Sequence, residues 1–167
     1  MRLVEMTEEE KYEFILIELK NVVMLKADIP TKNGHAYPKE ILEDIAASFT
    51  KFEPFDMAHY IYSNIANGEE SFELPNMSKI CGCVDSLRVE TRLLEDGTEE
   101  CILVGDIKIF NTPDGNFVNY AIKNGTSIYF VPFGRGTTSV MIGRRRNTFS
   151  IASYELLGFK TSLFAPQ

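Results

Sequence analysis

The chain has 167 residues, 44% of them hydrophobic and 12 of them Phe, which is enough to fill one hydrophobic core and too little to suggest two domains. Its 24 acidic and 17 basic side chains leave a formal charge of -7, which argues against a nucleic-acid-binding surface, since phosphate binding is driven by Lys and Arg. No run approaches the roughly 20 apolar residues of a membrane span, and the opening MRLVEMTEEEKYEF turns acidic too soon for a secretory leader.

Residues 14–19 and 22–27 are rich in Ile and Val and bounded by Asp28 and Pro30, so they read as two strands or one bent strand; residues 1–12 before them read as an N-terminal arm. Thr31-Lys32-Asn33-Gly34 is a turn signal, because Asn and Gly tolerate positive φ, and it leaves His35 exposed beside it. Pro38 suits the first position of a helix, and Ile41, Leu42, Ile45, Ala46 and Phe49 recur at helical spacing. An amphipathic helix is therefore expected over residues 38–50. A strand follows over residues 55–62, then a polar loop around Asn67-Gly68-Glu69-Glu70.

Two β-rich runs, 79–90 and 100–110, flank Leu94-Glu95-Asp96-Gly97-Thr98, and Asp-Gly between alternating runs predicts a hairpin. Cys81 and Cys83, two apart on a strand, should share one buried face; with Cys101 they make an odd number without framework or zinc-ligand spacing, so a reduced cytoplasmic setting and no metal are expected. Thr112 can cap a second helix with Pro113 at its first position, Phe117, Val118, Ala121 and Ile122 as its apolar stripe, and Gly125 past its end. A strand over 126–133, a Gly134-Arg135-Gly136 turn, a solvated hairpin tip at Arg144-Arg145-Arg146 and a strand over 149–157 complete a single domain over 1–167, mostly β with two helices.

Residues 105–136, GDIKIFNTPDGNFVNYAIKNGTSIYFVPFGRG, resemble the strand, turn, helix and nucleophile strand of the head-maturation (prohead) proteases of tailed bacteriophages, serine peptidases that share the fold of the herpesvirus assembly protease. Asn33-Gly34-His35-Ala36-Tyr37-Pro38, leading into a helix, is similar to that family's opening pattern. The resemblance covers most of the chain from Asn33 onward and implies an α+β fold built on a β-barrel flanked by helices.

In that family a strand ends in one or two serines before a Gly-rich turn; the matching positions here are Val131 and Pro132, which cannot attack a carbonyl. His59, in Phe55-Asp56-Met57-Ala58-His59, is the nearest match to the family's histidine, and Lys160 falls where its acid would align. A cation there cannot stabilise an imidazolium. The resemblance thus implies an inactive relative, with no cofactor. Its expected role is a non-catalytic auxiliary or minor capsid protein of the virion, acting as decoration or inside the head. Its expected partners are the major capsid protein, other head proteins and a second copy of itself. Two alternatives stay open: a transient head-assembly factor, and an active maturation protease using Ser127, in Thr126-Ser127-Ile128-Tyr129-Phe130, as fallback nucleophile.

Overall fold

The apolar run after Phe14 forms one bent strand, β1 (Ile15–Lys26). Its bend is local: Asn21 adopts φ 57, its N–H donates to Asp106 Oδ1 at 3.0 Å, and the pairing register shifts between Leu19 and Val22. Asn tolerates this left-handed conformation better than the Ile and Val around it. The computed structural model describes residues 14–49, 53–56, 61–64, 69–72, 80–141 and 149–167; the expected arm at 1–12 and the Arg144-Arg145-Arg146 tip lie outside them.

After β1 come β2 (His35–Ala36), α1 (Lys39–Ser48), β3 (Glu53–Asp56), β4 (Ile61–Asn64) and β5 (Glu69–Phe72). Then follow β6 (Ile80–Leu93), β7 (Glu99–Phe110), α2 (Pro113–Lys123), β8 (Tyr129–Met141) and β9 (Phe149–Ser162). Pro38 stands just outside α1 as its cap residue. The single strand expected over 55–62 is instead two, β3 and β4, and Glu69 and Glu70, expected in a loop, open β5, which pairs antiparallel with β4.

One sheet has the order β1-β7-β6-β3, all antiparallel, and a second has the order β2-β9-β8, in which only β2 runs parallel to its neighbour. Both helices lie against these sheets, α1 on β9 and β6, α2 on β6 and β7. The two sheets approach each other at two seams, β3 beside β9 and β1 beside β8. Among the described residues, however, no hydrogen-bonded ladder joins either seam, so the expected barrel is not closed. Two features oppose closure at the β1–β8 seam. β1 carries three register breaks, and Pro132 removes a donor from β8, as suits an edge strand. The fold is thus a mostly β, α+β arrangement of packed open sheets.

Between the layers sit Leu42, Ile45, Leu103, Ile107 and Phe159, all nearly or fully buried, with the Phe49 ring meeting Phe159 edge-on at 6.3 Å. Cys81 and Cys83 are both buried but do not share a face. Cys81 joins the main core, while Cys83 packs with Ile80 and Phe110 in a smaller cluster. The β3–β6 register steps from Gly82 to Ile80 opposite consecutive β3 residues, so Cys81 is an extra residue that reverses the alternation.

In α2, Thr112 caps as expected: its Oγ1 accepts from Gly115 N at 3.0 Å and donates to the Ile80 carbonyl at 2.7 Å. Its apolar stripe is the expected one except at Phe117, with Ile122 packed partly buried against the core. Val118 and Ala121 are buried, Phe117 is 58% exposed, and Gly115 takes the inner position. A Cβ on Gly115 would stand 1.9 Å from the Phe110 carbonyl oxygen, so the helix approaches β7 through its glycine. Phe117, two residues on, is carried to the far side.

Candidate functional site

The strands that carry Val131, Pro132 and Lys160 lie side by side. In the β8–β9 ladder Val131 is directly opposite Lys160, and the next rung pairs Pro132 with Phe159. Pro132 is buried, whereas Val131 and Lys160 are half-buried. Directly opposed residues of an antiparallel pair have their Cβ atoms ~5 Å apart. Val131 and Lys160 are therefore immediate neighbours.

These residues line a groove of about 720 Å³. One wall comes from residues 31–37, including Lys32, His35 and Tyr37, and another from Phe164 to Pro166. The Lys32 ammonium stands 5.6 Å from the centre of the Phe164 ring, a cation–π contact, and the Lys32 N–H donates to the Pro166 carbonyl at 3.0 Å. The Gln167 side chain fastens the same segment, accepting from Lys26 N at 2.8 Å and donating to the Lys26 and Ile29 carbonyls at 2.9 Å.

The expected turn at Gly134-Arg135-Gly136 is not there; β8 runs straight through it, with a register shift between Phe133 and Gly134. The glycines serve packing instead. A Cβ on Gly134 would stand 2.0 Å from the Glu155 carbonyl oxygen and 2.9 Å from ring carbons of Tyr154; one on Gly136 would meet the Ser153 carbonyl oxygen at 2.4 Å. Across the groove Tyr154 meets Tyr37 edge-on, with ring centres 5.5 Å apart, and their hydroxyls share a hydrogen bond. Burial pushes both phenols upward, and for Tyr154 the neighbouring Tyr37 adds to the rise. Both therefore stay protonated at neutral pH and are poor nucleophiles.

His35, read as exposed from the sequence, is half-buried, lies on β2 opposite Phe149 of β9 and lines the groove. A sequence signal existed in its neighbours, since Ala36 is buried and Tyr37 packs inward, giving the segment the character of a short strand. His59 lies outside the described residues. Ser127 is exposed in the coil before β8 and is not among the groove's lining residues. Ser162 does line the groove, but its Oγ donates to the Phe164 carbonyl and accepts from Phe164 N, both at 3.1 Å. Among the described residues no group of the groove has the paired, activated geometry of a nucleophile and base.

The groove's charge is one-sided: Lys32, Arg135 and Lys160 line it, and among the described residues no Asp or Glu does. No three His, Cys, Asp or Glu side chains among the described residues gather as a metal-binding set. No helix among them is long and apolar enough to cross a membrane. Compared with protein-family models, with curated proteins and with solved structures, the chain shows no match.

Proposed function

We propose that this protein is a catalytically silent relative of the phage head-maturation proteases, with a fold derived from theirs, that serves in the virion as an auxiliary or minor capsid component bound to the major capsid shell. The observation that carries this reading is the pair Val131 and Lys160, opposite each other in one rung of the ladder and both lining the groove, with Pro132 beside them. An isopropyl, a pyrrolidine and an ammonium group stand at the positions that the resemblance assigns to nucleophile and acid. Loss of the nucleophile alone typically costs about 10⁶ in turnover. Active relatives work inside an assembling head, against capsid and scaffold chains. Such a fold can keep its docking surfaces after its chemistry has gone, because site and fold are separable.

The position of Ser127, exposed and away from the groove, supports the silent reading over an active protease. A fluorophosphonate probe tests it. The expected result is no labelling of the native chain; stoichiometric labelling abolished by Ser127→Ala overturns the reading.

A further inference from the structure

The β6–β7 hairpin extends past the sheet that supports it. The last rung of β1 on β7 is Lys26 with Ile102, and the Ala27 N–H donates to the Cys101 carbonyl at 2.8 Å. Beyond it the rungs Thr91–Cys101, Arg92–Glu100 and Leu93–Glu99 have no third strand among the described residues. The tip is both apolar and acidic. Leu93 is 73% exposed and Leu94 38%, and Glu95 and Glu99 have no cationic partner among the described residues. Glu100, by contrast, is held by Lys26 at 3.2 Å and Arg92 at 2.6 Å.

The groove has the complementary chemistry. Lys32 and Lys160 have no carboxylate partner among the described residues, and Tyr37, Tyr154 and Phe164 supply apolar walls. The hairpin and groove are neighbours at one end of the molecule, since Ala27 closes the last supported rung and Leu25 lines the groove. Ile29 and Phe164, 42% and 72% exposed, belong to the same end.

We propose that the groove's occupant is a second copy of this chain. The β6–β7 tip of one copy seats in the groove of the other, Leu93 and Leu94 against the aromatic walls and Glu95 and Glu99 toward Lys32 and Lys160. Because donor and acceptor lie at the same end, a two-fold axis satisfies both at once and closes the assembly as a dimer rather than an open chain. Charge complementarity favours this occupant. A protein of charge -7 repels its own copies in general, and the facing of its acidic tip with its cationic groove reverses the sign locally. The proposal stands independently of the capsid reading.

Sedimentation equilibrium of the full chain tests it. The expected species is a dimer of twice 18.9 kDa that weakens with added salt, because half-exposed ion pairs are screened. Reversing the tip (Glu95→Lys with Glu99→Lys) or the groove (Lys32→Glu with Lys160→Glu) should each weaken the dimer by about tenfold or more, and the four changes together in one chain should restore it. Where the groove pair disturbs folding by circular dichroism, Lys32→Glu alone, at an exposed position, makes the same test against Glu95→Lys. A monomer at all concentrations, a dimer indifferent to both reversals, or a folded combined variant that stays monomeric overturns the proposal.

Discussion

Replacing Gly134 with Ala asks whether the Gly-Arg-Gly segment is a strand packed under Tyr154 or the free turn that the sequence suggests. The new methyl would stand 2.0 Å from the Glu155 carbonyl oxygen and 2.9 Å from two Tyr154 ring atoms, where ordinary contact begins at 3.4 Å. The ring could turn aside, but the carbonyl belongs to the neighbouring strand, so β8 and β9 must separate by more than an ångström. Overpacking costs about 1–3 kcal/mol, and strained ladder bonds add about 1 kcal/mol, so a loss of about 3 kcal/mol is expected. For a domain of this size that lowers Tm by about 6–12 °C. Gly97→Ala is the control: its site has open space but a φ of +84, costing about 1–2 kcal/mol. Thermal melts followed by circular dichroism should place Gly134→Ala clearly below Gly97→Ala. Adding Tyr154→Ala should not rescue it, because the nearer obstacle is backbone. A Gly134→Ala melt no lower than the control refutes the packed-strand account and returns the segment to a turn.

Acid sensitivity should follow Asp106. Hydrogen bonds from the Asn21 N–H and then from Ser86, with Arg88 and Lys20 nearby, hold its carboxyl below the ordinary 3.8. Its contribution is present above that value and lost as pH falls through the depressed folded one. The Tm gap between wild type and Asp106→Asn should therefore be positive at neutral pH and close on acidification below 3.8; a gap that widens there contradicts the assignment. Thiol labelling should be uneven. Burial, followed by the Asp85 charge, pushes the Cys83 thiol up to about 12, and Cys81 is fully buried, whereas Cys101 is only partly so. Native alkylation read by mass spectrometry should modify Cys101 first and the other two only on unfolding. Early modification of Cys83 would show that its cluster opens.

Local signals carried a large part of the fold. The cap at Thr112 with Pro113 behind it, the Asp96-Gly97 hairpin and the positive φ of Gly125 each depend on a few adjacent residues, and the structure has all three. Signals that depend on a distant partner were misread. Two glycines around Arg135 suggest a turn, yet they make room for the Ser153 and Glu155 carbonyls and the Tyr154 ring on the neighbouring strand. Phe117 matches a helical stripe, but the closest approach of α2 is set by Gly115 against Phe110, which turns Phe117 outward. Cys81 and Cys83 alternate as expected only in a regular strand, and the bulge at Cys81 removes that regularity. At the site, Val131 and Lys160 were legible as separate departures from a pattern. Their opposition across one ladder, and the one-sided charge of the groove with His35 in its wall, required the pairing of β8, β9 and β2.

The proposed function makes this chain a component of mature phage particles, and quantitative mass spectrometry of such particles tests it most directly, because it reads copy number and the integrity of the protein together. The account predicts an uncleaved chain at a fixed ratio to the major capsid protein. Its absence from mature particles, or its presence only as fragments, would contradict a capsid role and favour a transient assembly factor or a protease that destroys itself.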